Sequence, residues 1–231
     1  MRIFGVAHVL WLLGIAVTSG GLAWIARRQI IPNLYLRAAL AIFLVGGELQ
    51  RYFHDGMRWP DALPLNLCNI TTWVAVIACL CMSPLAVEFV YFAGIGGASM
   101  ALLTPDMGAA WPPRFFINHG GLVVAASMLI FGRMAQLRPR AAVKSYAWFA
   151  AYVFSMAAFD RLFGVNYGYV RQKPSFSVLN FLGPWPFYIL GGFAVAVVVF
   201  WLLGMVAPRG AAVEESLPAN LDAMLEGEPS V

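Results

Sequence analysis

Trp185-Pro186-Phe187-Tyr188-Ile189-Leu190-Gly191-Gly192-Phe193-Ala194-Val195-Ala196-Val197-Val198-Val199-Phe200-Trp201-Leu202-Leu203-Gly204-Met205-Val206 carries no charged side chain. A helix that crosses a bilayer needs about 20 mostly apolar residues, and this stretch supplies them. Gly183-Pro184-Trp185-Pro186 opens it with fixed backbone angles and an aromatic interface anchor. Six more stretches share its character: Phe4 to Ala26, Leu34 to Tyr52, Leu65 to Met82, Leu85 to Leu103, Phe115 to Phe131 and Ser145 to Phe163. Ser83-Pro84 makes a tight break between the third and fourth. The prolines and tryptophan between Thr104-Pro105-Asp106 and Trp111-Pro112-Pro113-Arg114 suit an interfacial loop. The expected fold is all-α: a polytopic membrane protein built as a bundle of about seven transmembrane helices.

Composition excludes the soluble alternatives. Hydrophobic residues make up 61% of the chain and charged ones 11%, with a mean hydropathy of +0.75. Soluble domains run about 45–50% apolar and about 25% charged. The net charge of +4 does not signal a nucleic-acid partner, because the arginines flank apolar runs instead of forming a basic stripe. Cys68, Cys79 and Cys81 have neither disulfide nor zinc spacing, and no metal site is expected. The amino terminus could pass for a signal peptide. Its long apolar run, closed by Arg27-Arg28, favours a retained first helix.

Two segments follow: a transmembrane domain over 1–207 and an acidic tail over 208–231, expected to be mostly disordered and cytoplasmic. Lysines and arginines fall seven on the amino-terminal side and eight on the other, a near tie. The compact basic loops, Arg27-Arg28 and Arg133 to Lys144, lie on the second side. That clustering assigns the second side to the cytoplasm and the amino terminus to the outside of an inner (plasma) membrane.

Alternating spans bring the unusual polar residues to one depth. His8, Cys68 and His119 lie near the starts of helices one, three and five; Glu48 and Asp160-Arg161 end helices two and six. These groups sit roughly 5–10 Å below one interface. Ionisable groups inside a membrane are costly and usually functional. In Leu63-Pro64-Leu65-Asn66-Leu67-Cys68-Asn69-Ile70, Pro64 suits a first helical turn. Cys68 then falls about one turn inside, where the helix terminus favours nucleophilic chemistry at sulfur. The competing reading of Cys68 is a buried, inert thiol. His119, before Gly120-Gly121, could equally be a packed histidine bonding a neighbouring helix, and His8 a headgroup anchor. His54 suits a solvated loop, and Glu48, Glu88 and Asp160-Arg161 suit structural pairing. Between Gly164 and Tyr188, Asn166, Tyr167 and Tyr169 offer hydrogen bonds while Arg171 and Lys173 could hold a phosphate. An ordinary aromatic-basic interfacial loop is the alternative there.

Leu63-Pro64-Leu65-Asn66-Leu67-Cys68, Asn118-His119-Gly120, and Asn166-Tyr167 through Lys173-Pro174 to Leu182-Gly183-Pro184-Trp185-Pro186 together resemble the YwaF family of bacterial integral-membrane proteins. The resemblance covers nearly all of the chain except the acidic tail. That family is related to the eukaryotic transmembrane protein 164, a membrane acyltransferase that moves fatty acyl chains between phospholipids. The resemblance implies a cysteine at Cys68 and a histidine at His119 as catalytic residues, a phospholipid substrate among membrane lipids, and no cofactor. This sequence departs from the usual pattern twice, with Asn66 where histidine is usual and Asn180 where aspartate is usual.

Two function classes remain. In the first, a lipid acyltransferase or acyl-ester hydrolase uses Cys68 as nucleophile and His119 as base. Asn66 or Asn69 would help hold the oxyanion, Arg171 and Lys173 the headgroup, and His8, Asn166, Tyr167 and Tyr169 would bind substrate. In the second, a transporter or lipid-binding protein uses the same polar layer without covalent chemistry. A zinc hydrolase is set aside because three histidines, one of them in a loop, are too few ligands. A Ser99–His119 dyad is weaker still, since small residues are common at helix contacts.

Overall fold

Apolar runs punctuated by proline and glycine become helices. The computed structural model describes residues 3–105, 112–174 and 177–208. The helices are α1 (Val6–Arg27), α2 (Asn33–Asp55), α3 (Leu67–Cys81), α4 (Pro84–Leu103), α5 (Pro112–Phe131), α6 (Ala141–Phe163) and α7 (Phe187–Val206). Two single 3-10 turns, Tyr167–Tyr169 and Val178–Phe181, lie between α6 and α7, and no strand occurs among the described residues. α1, α4, α5 and α7 are long and apolar enough to cross a membrane. α3 is shorter, at 15 residues, while α2 carries Arg37, Glu48 and Arg51 and α6 carries Lys144, Asp160 and Arg161. The acidic tail from 209 onward and the loop residues 106–111 lie outside the described residues.

Each expected apolar stretch is a helix, with one informative shift. α3 begins at Leu67, two residues later than expected, so Cys68 is its second residue and does not lie a full turn inside. The reason is tertiary. The Leu63 N–H donates to Tyr167 Oη (2.7 Å), and the Leu65 carbonyl accepts from Tyr152 Oη (3.0 Å). Asn66, in extended conformation, is therefore the helix cap, and Pro64 precedes the helix instead of starting it.

α4 and α5 form the centre, and Tyr91, Phe92, Phe116, Leu122, Met128 and Leu129 are fully buried on them. Over Val90–Ala98 the α4 backbone widens to i→i+5 hydrogen bonding, a geometry that recurs at functional sites. α1 packs mainly on α5, and α7 packs on α6 and the widened part of α4. On the opposite side from Cys68, the Glu88 carboxylate, 1% exposed, takes three hydrogen bonds from Arg138, so it is structural.

Small residues set the helix spacing. A Cβ at Gly120 would lie 2.8 Å from Ile15 Cγ1 of α1. One at Gly121 would lie 2.9 Å from Phe43 and 3.2 Å from Leu44 of α2. We expect Gly121→Val to cost about 1–3 kcal/mol by overpacking. Thermal unfolding of the detergent-purified protein checks this, and an unchanged midpoint would mean that α2 and α5 have room to spare.

Candidate functional site

The site is assembled around the last turns of α2. Glu48 is 3% exposed, and its two carboxylate oxygens accept from Asn69 Nδ2 of α3 (3.0 Å) and Arg51 Nε (3.2 Å). One residue earlier, a Cβ on Gly47 would lie 2.8 Å from Asn118 Oδ1 of α5. Residues 47 and 48 therefore touch α3 at Asn69 and α5 at Asn118. Their sequence neighbours, Cys68 and His119, are brought to the same level, and both line one cavity.

His119 is oriented by its own helix. Its Nδ1 lies 2.9 Å from the Phe115 carbonyl, and its ring centroid lies 4.2 Å from that of the Phe115 ring, tilted by 31°. A carbonyl can only accept, so the hydrogen bond assigns the neutral ring's proton to Nδ1 and makes Nε2 the lone-pair nitrogen. The neutral ring thus keeps a lone pair on Nε2 with which it can take up a proton.

At the start of α3 the Asn66 side chain does not cap the helix; its Oδ1 lies 3.5 Å from the Gly168 N–H. The Ile70 N–H is the first to bond within the helix, to the Asn66 carbonyl (3.1 Å). The N–H groups of Leu67, Cys68 and Asn69 precede that first intrahelical bond, as donors at a helix start do.

The cavity has a volume of about 500 Å³. Glu48, Arg51, Asn66, Asn69, Arg114, Asn118 and Tyr152 make part of its wall polar. Ala93, Gly96, Leu122, Phe149, Phe193, Val199 and Phe200 make the rest apolar. Along α7 the lining runs from Tyr188 to Phe200, about 18 Å at helical rise. Phe200 packs against Phe92 (5.2 Å), Phe149 (6.1 Å) and Tyr146 (6.2 Å) where the lining stops. No cluster of three or more His, Cys, Asp or Glu forms among the described residues.

Of the residues singled out in the sequence, Cys68, His119, Asn66, Asn69, Tyr169 and Glu48 line this cavity, whereas His8, Asn166, Tyr167, Arg171 and Lys173 do not. His8 is fully buried, with Nδ1 accepting from the Phe4 N–H (2.8 Å) and Nε2 donating to the Leu102 carbonyl (2.8 Å). It clamps α1 to the end of α4. Tyr167 accepts from Leu63 and donates to the Pro60 carbonyl (2.8 Å). Asn166 Oδ1 accepts from the N–H groups of Arg171 and Gln172 (both 3.0 Å), closing a tight turn. The Arg171 guanidinium donates to the Asp160 and Val165 carbonyls, and Lys173 Nζ to the Gly183 carbonyl (3.0 Å). Both cations hold the loop together. Sequence reasoning passed over Arg51, Arg114, Asn118 and Tyr152 as cavity residues. For Arg51 the available signal was its spacing of three residues from Glu48 on the same helix face.

The TMEM164 family matches the chain over residues 3–205. The chain belongs to the TMEM164 family. No curated protein and no solved structure matches it. In this TMEM164-family chain the two departures from the resembling pattern fall in different places: Asn66 lines the cavity, whereas Asn180 is an exposed residue of the 3-10 turn whose Leu179 lines it.

Tyr167 ties the segment before α3 to the loop after α6. Tyr167→Phe would leave the Leu63 N–H and the Pro60 carbonyl without that partner. We expect a loss of about 1–3 kcal/mol in unfolding free energy. Hydrogen exchange should show earlier opening of residues 60–66 than of α5, and uniform opening would contradict this role.

Proposed function

We propose that the protein is a membrane-embedded lipid acyltransferase, or acyl-ester hydrolase, working through a thioester on Cys68. The observation that carries this reading is that Cys68 and His119 share one cavity whose wall passes from polar to apolar. Its apolar run of about 18 Å is comparable with the roughly 15 Å of hydrocarbon in one leaflet. An acyl chain fits such a groove, with its ester at the polar end.

The chemistry balances with the groups present. His119 Nε2 takes the Cys68 proton as the sulfur attacks the ester carbonyl. The oxyanion formed is met by N–H groups at the start of α3, with the Asn66 and Asn69 amides nearby. Collapse breaks the C–O bond, and the leaving alkoxide takes the proton from His119 and departs as a lysolipid hydroxyl. An acceptor hydroxyl then gives its proton to His119, attacks the thioester and restores the thiol. Water in the acceptor's place makes the enzyme a hydrolase.

We further propose that all seven helices span an inner membrane, with the amino terminus outside and the acidic tail in the cytoplasm. α2 and α6 carry charged residues and α3 is apolar but only 15 residues long, and all three contribute polar side chains to the cavity wall. Within the family we assign the chain to the bacterial YwaF members, on the Gly183-Pro184-Trp185-Pro186 phrase and the Cys68 and His119 motifs.

Intact-mass measurement after incubation with mixed phospholipids tests the reading. We expect an acyl adduct that hydroxylamine removes and Cys68→Ser abolishes. His119→Ala should slow acyl exchange by about 10²–10⁴-fold. Full exchange by Cys68→Ser would overturn the thioester, and absence of both adduct and acyl exchange in the unsubstituted protein would favour lipid binding or transport without covalent chemistry.

A further inference from the structure

α4 and α7 run antiparallel and pack closely at one end only. Tyr91 Oη donates to the Leu203 carbonyl (2.9 Å), and a Cβ on Gly96 would lie 3.2 Å from Val199 Cγ1. The Phe92 and Phe200 rings lie 5.2 Å apart beside that contact. The same register sets Met100 of α4 opposite Val195 of α7, and there the helices part. The main neighbours of α7 are α6, the Val90–Ala98 stretch and the Val178–Phe181 turn, and Ser99–Leu103 is not among them. Within 4 Å a Cβ at Gly97 would meet only Leu67, and one at Gly192 only Leu179. Gly97, Met100 and Ala101 on one side and Gly192, Val195 and Ala196 on the other are half-buried and line the cavity. Gly97 and Ala101, like Gly192 and Ala196, are small residues four apart. That spacing ordinarily lets two membrane helices touch. Here it bounds a cleft.

We propose that this cleft is a lateral entrance, through which a lipid acyl chain passes from the bilayer leaflet on the amino-terminal side to Cys68. The entrance rests on the lipid-acyl reading of the cavity and adds to it the route and the leaflet of supply. The charged residues of the cavity, Glu48, Arg51 and Arg114, belong to α2 and α5, and the walls that α4 and α7 supply carry no charge. A hydrated solute would lose water at those walls with nothing to replace it, whereas a hydrocarbon chain moves between like surroundings. Among the residues of α7 only Tyr188 and Phe200 are buried, while Leu190, Val197 and Val198 are exposed, so this helix borders the bilayer in the seven-span arrangement. From Gly97 to the end of α4 the cleft runs roughly 9 Å, which keeps it within one leaflet of about 15 Å. Its foot is closed by the buried contact of Gly96 with Val199 and Phe200. Leu67, the neighbour of Cys68, meets Gly97 just above that foot. A chain entering between the helices therefore arrives beside the start of α3.

The test follows exchange of bound phosphatidylglycerol, deuterated against unlabelled, by native mass spectrometry of the detergent-purified protein. Met100→Cys/Val195→Cys, in a Cys68→Ser/Cys79→Ala/Cys81→Ser background, is bridged across the cleft with a bismaleimide. We expect the bridge to slow both loading of empty protein and release from loaded protein by about tenfold or more. Ala196→Trp, which fills the cleft without a bridge, should slow loading likewise. Leu190→Trp, on the exposed side of α7, should not. Unchanged exchange in both the bridged and the Ala196→Trp proteins overturns the proposal and leaves the lipid-acyl reading standing with another way in. Equal slowing by Leu190→Trp also overturns it. Failure of every form to retain lipid would overturn the entrance and the lipid-acyl reading together. Bridge-sensitive exchange in a protein whose unsubstituted form makes no Cys68 thioester would retire the catalytic reading while leaving the entrance in place.

Discussion

A carboxylate buried in an apolar bundle is the constraint on which this structure turns. Glu48 is 3% exposed, and leaving it ionised without partners would cost several kcal/mol. Its oxygens are met by Asn69 and Arg51, so the only comfortable arrangement joins the end of α2 to the start of α3. The neighbouring Gly47 lets Asn118 of α5 come close. Three helices are thereby fixed in depth relative to one another, to within a fraction of a turn. Cys68 and His119 inherit that register. Neither residue has to be positioned by a contact with the other.

The helices were legible because each is an apolar run long enough to need no other information, and the observed ends fall close to the expected ones. Where α3 begins was not legible. The bonds that hold Leu63 and Leu65 out of the helix come from side chains 104 and 87 residues away in sequence. Pro64 is compatible with either outcome. The polar layer was readable as a layer, since alternating spans alone bring Glu48, Cys68 and His119 to one side. Which members face the cavity was not, because that depends on helix rotation. Glu48 proved to be both the structural pair its type suggests and part of the cavity wall. Arg171 and Lys173 show the opposite limit: a loop cation does not announce which carbonyls the loop will present to it.

Room for the cavity comes from backbone geometry as much as from side-chain size. A wider i→i+5 turn displaces the face of α4 that carries Ala93, Gly96 and Gly97, all of which line the cavity. At Gly96 an added Cβ would lie 3.2 Å from Val199 Cγ1, so α7 is already close there. At Gly97 its nearest neighbour would be Leu67 Cδ2 at 3.6 Å, an ordinary contact. Gly168 has a different duty. Its φ of +64° turns the loop, and a Cβ there would lie 2.9 Å from Tyr152 Oη, the hydroxyl that holds Leu65. Glycine at 168 thus serves both the turn and the start of α3.

For the reaction proposed above, the short α3 gives a physical reason for siting the attacking sulfur at its beginning. Fifteen residues of helix reach about 22 Å, less than the roughly 30 Å hydrocarbon core of a bilayer. In the seven-span arrangement part of the extended segment before α3 would then sit at membrane depth. Irregular backbone is tolerated there only when its polar groups are satisfied within the protein or face a cavity. Tyr167 takes the Leu63 N–H and the Pro60 carbonyl, and Tyr152 takes the Leu65 carbonyl. The N–H groups of Leu67, Cys68 and Asn69 come next, at a helix start whose cap residue supplies no side-chain bond. In the proposed reaction an oxyanion forming at Cys68 would accept from the Cys68 and Asn69 N–H groups, and an apolar surrounding strengthens that interaction. The same feature that makes α3 too short to be an easy membrane span therefore makes its first turn suited to stabilising negative charge.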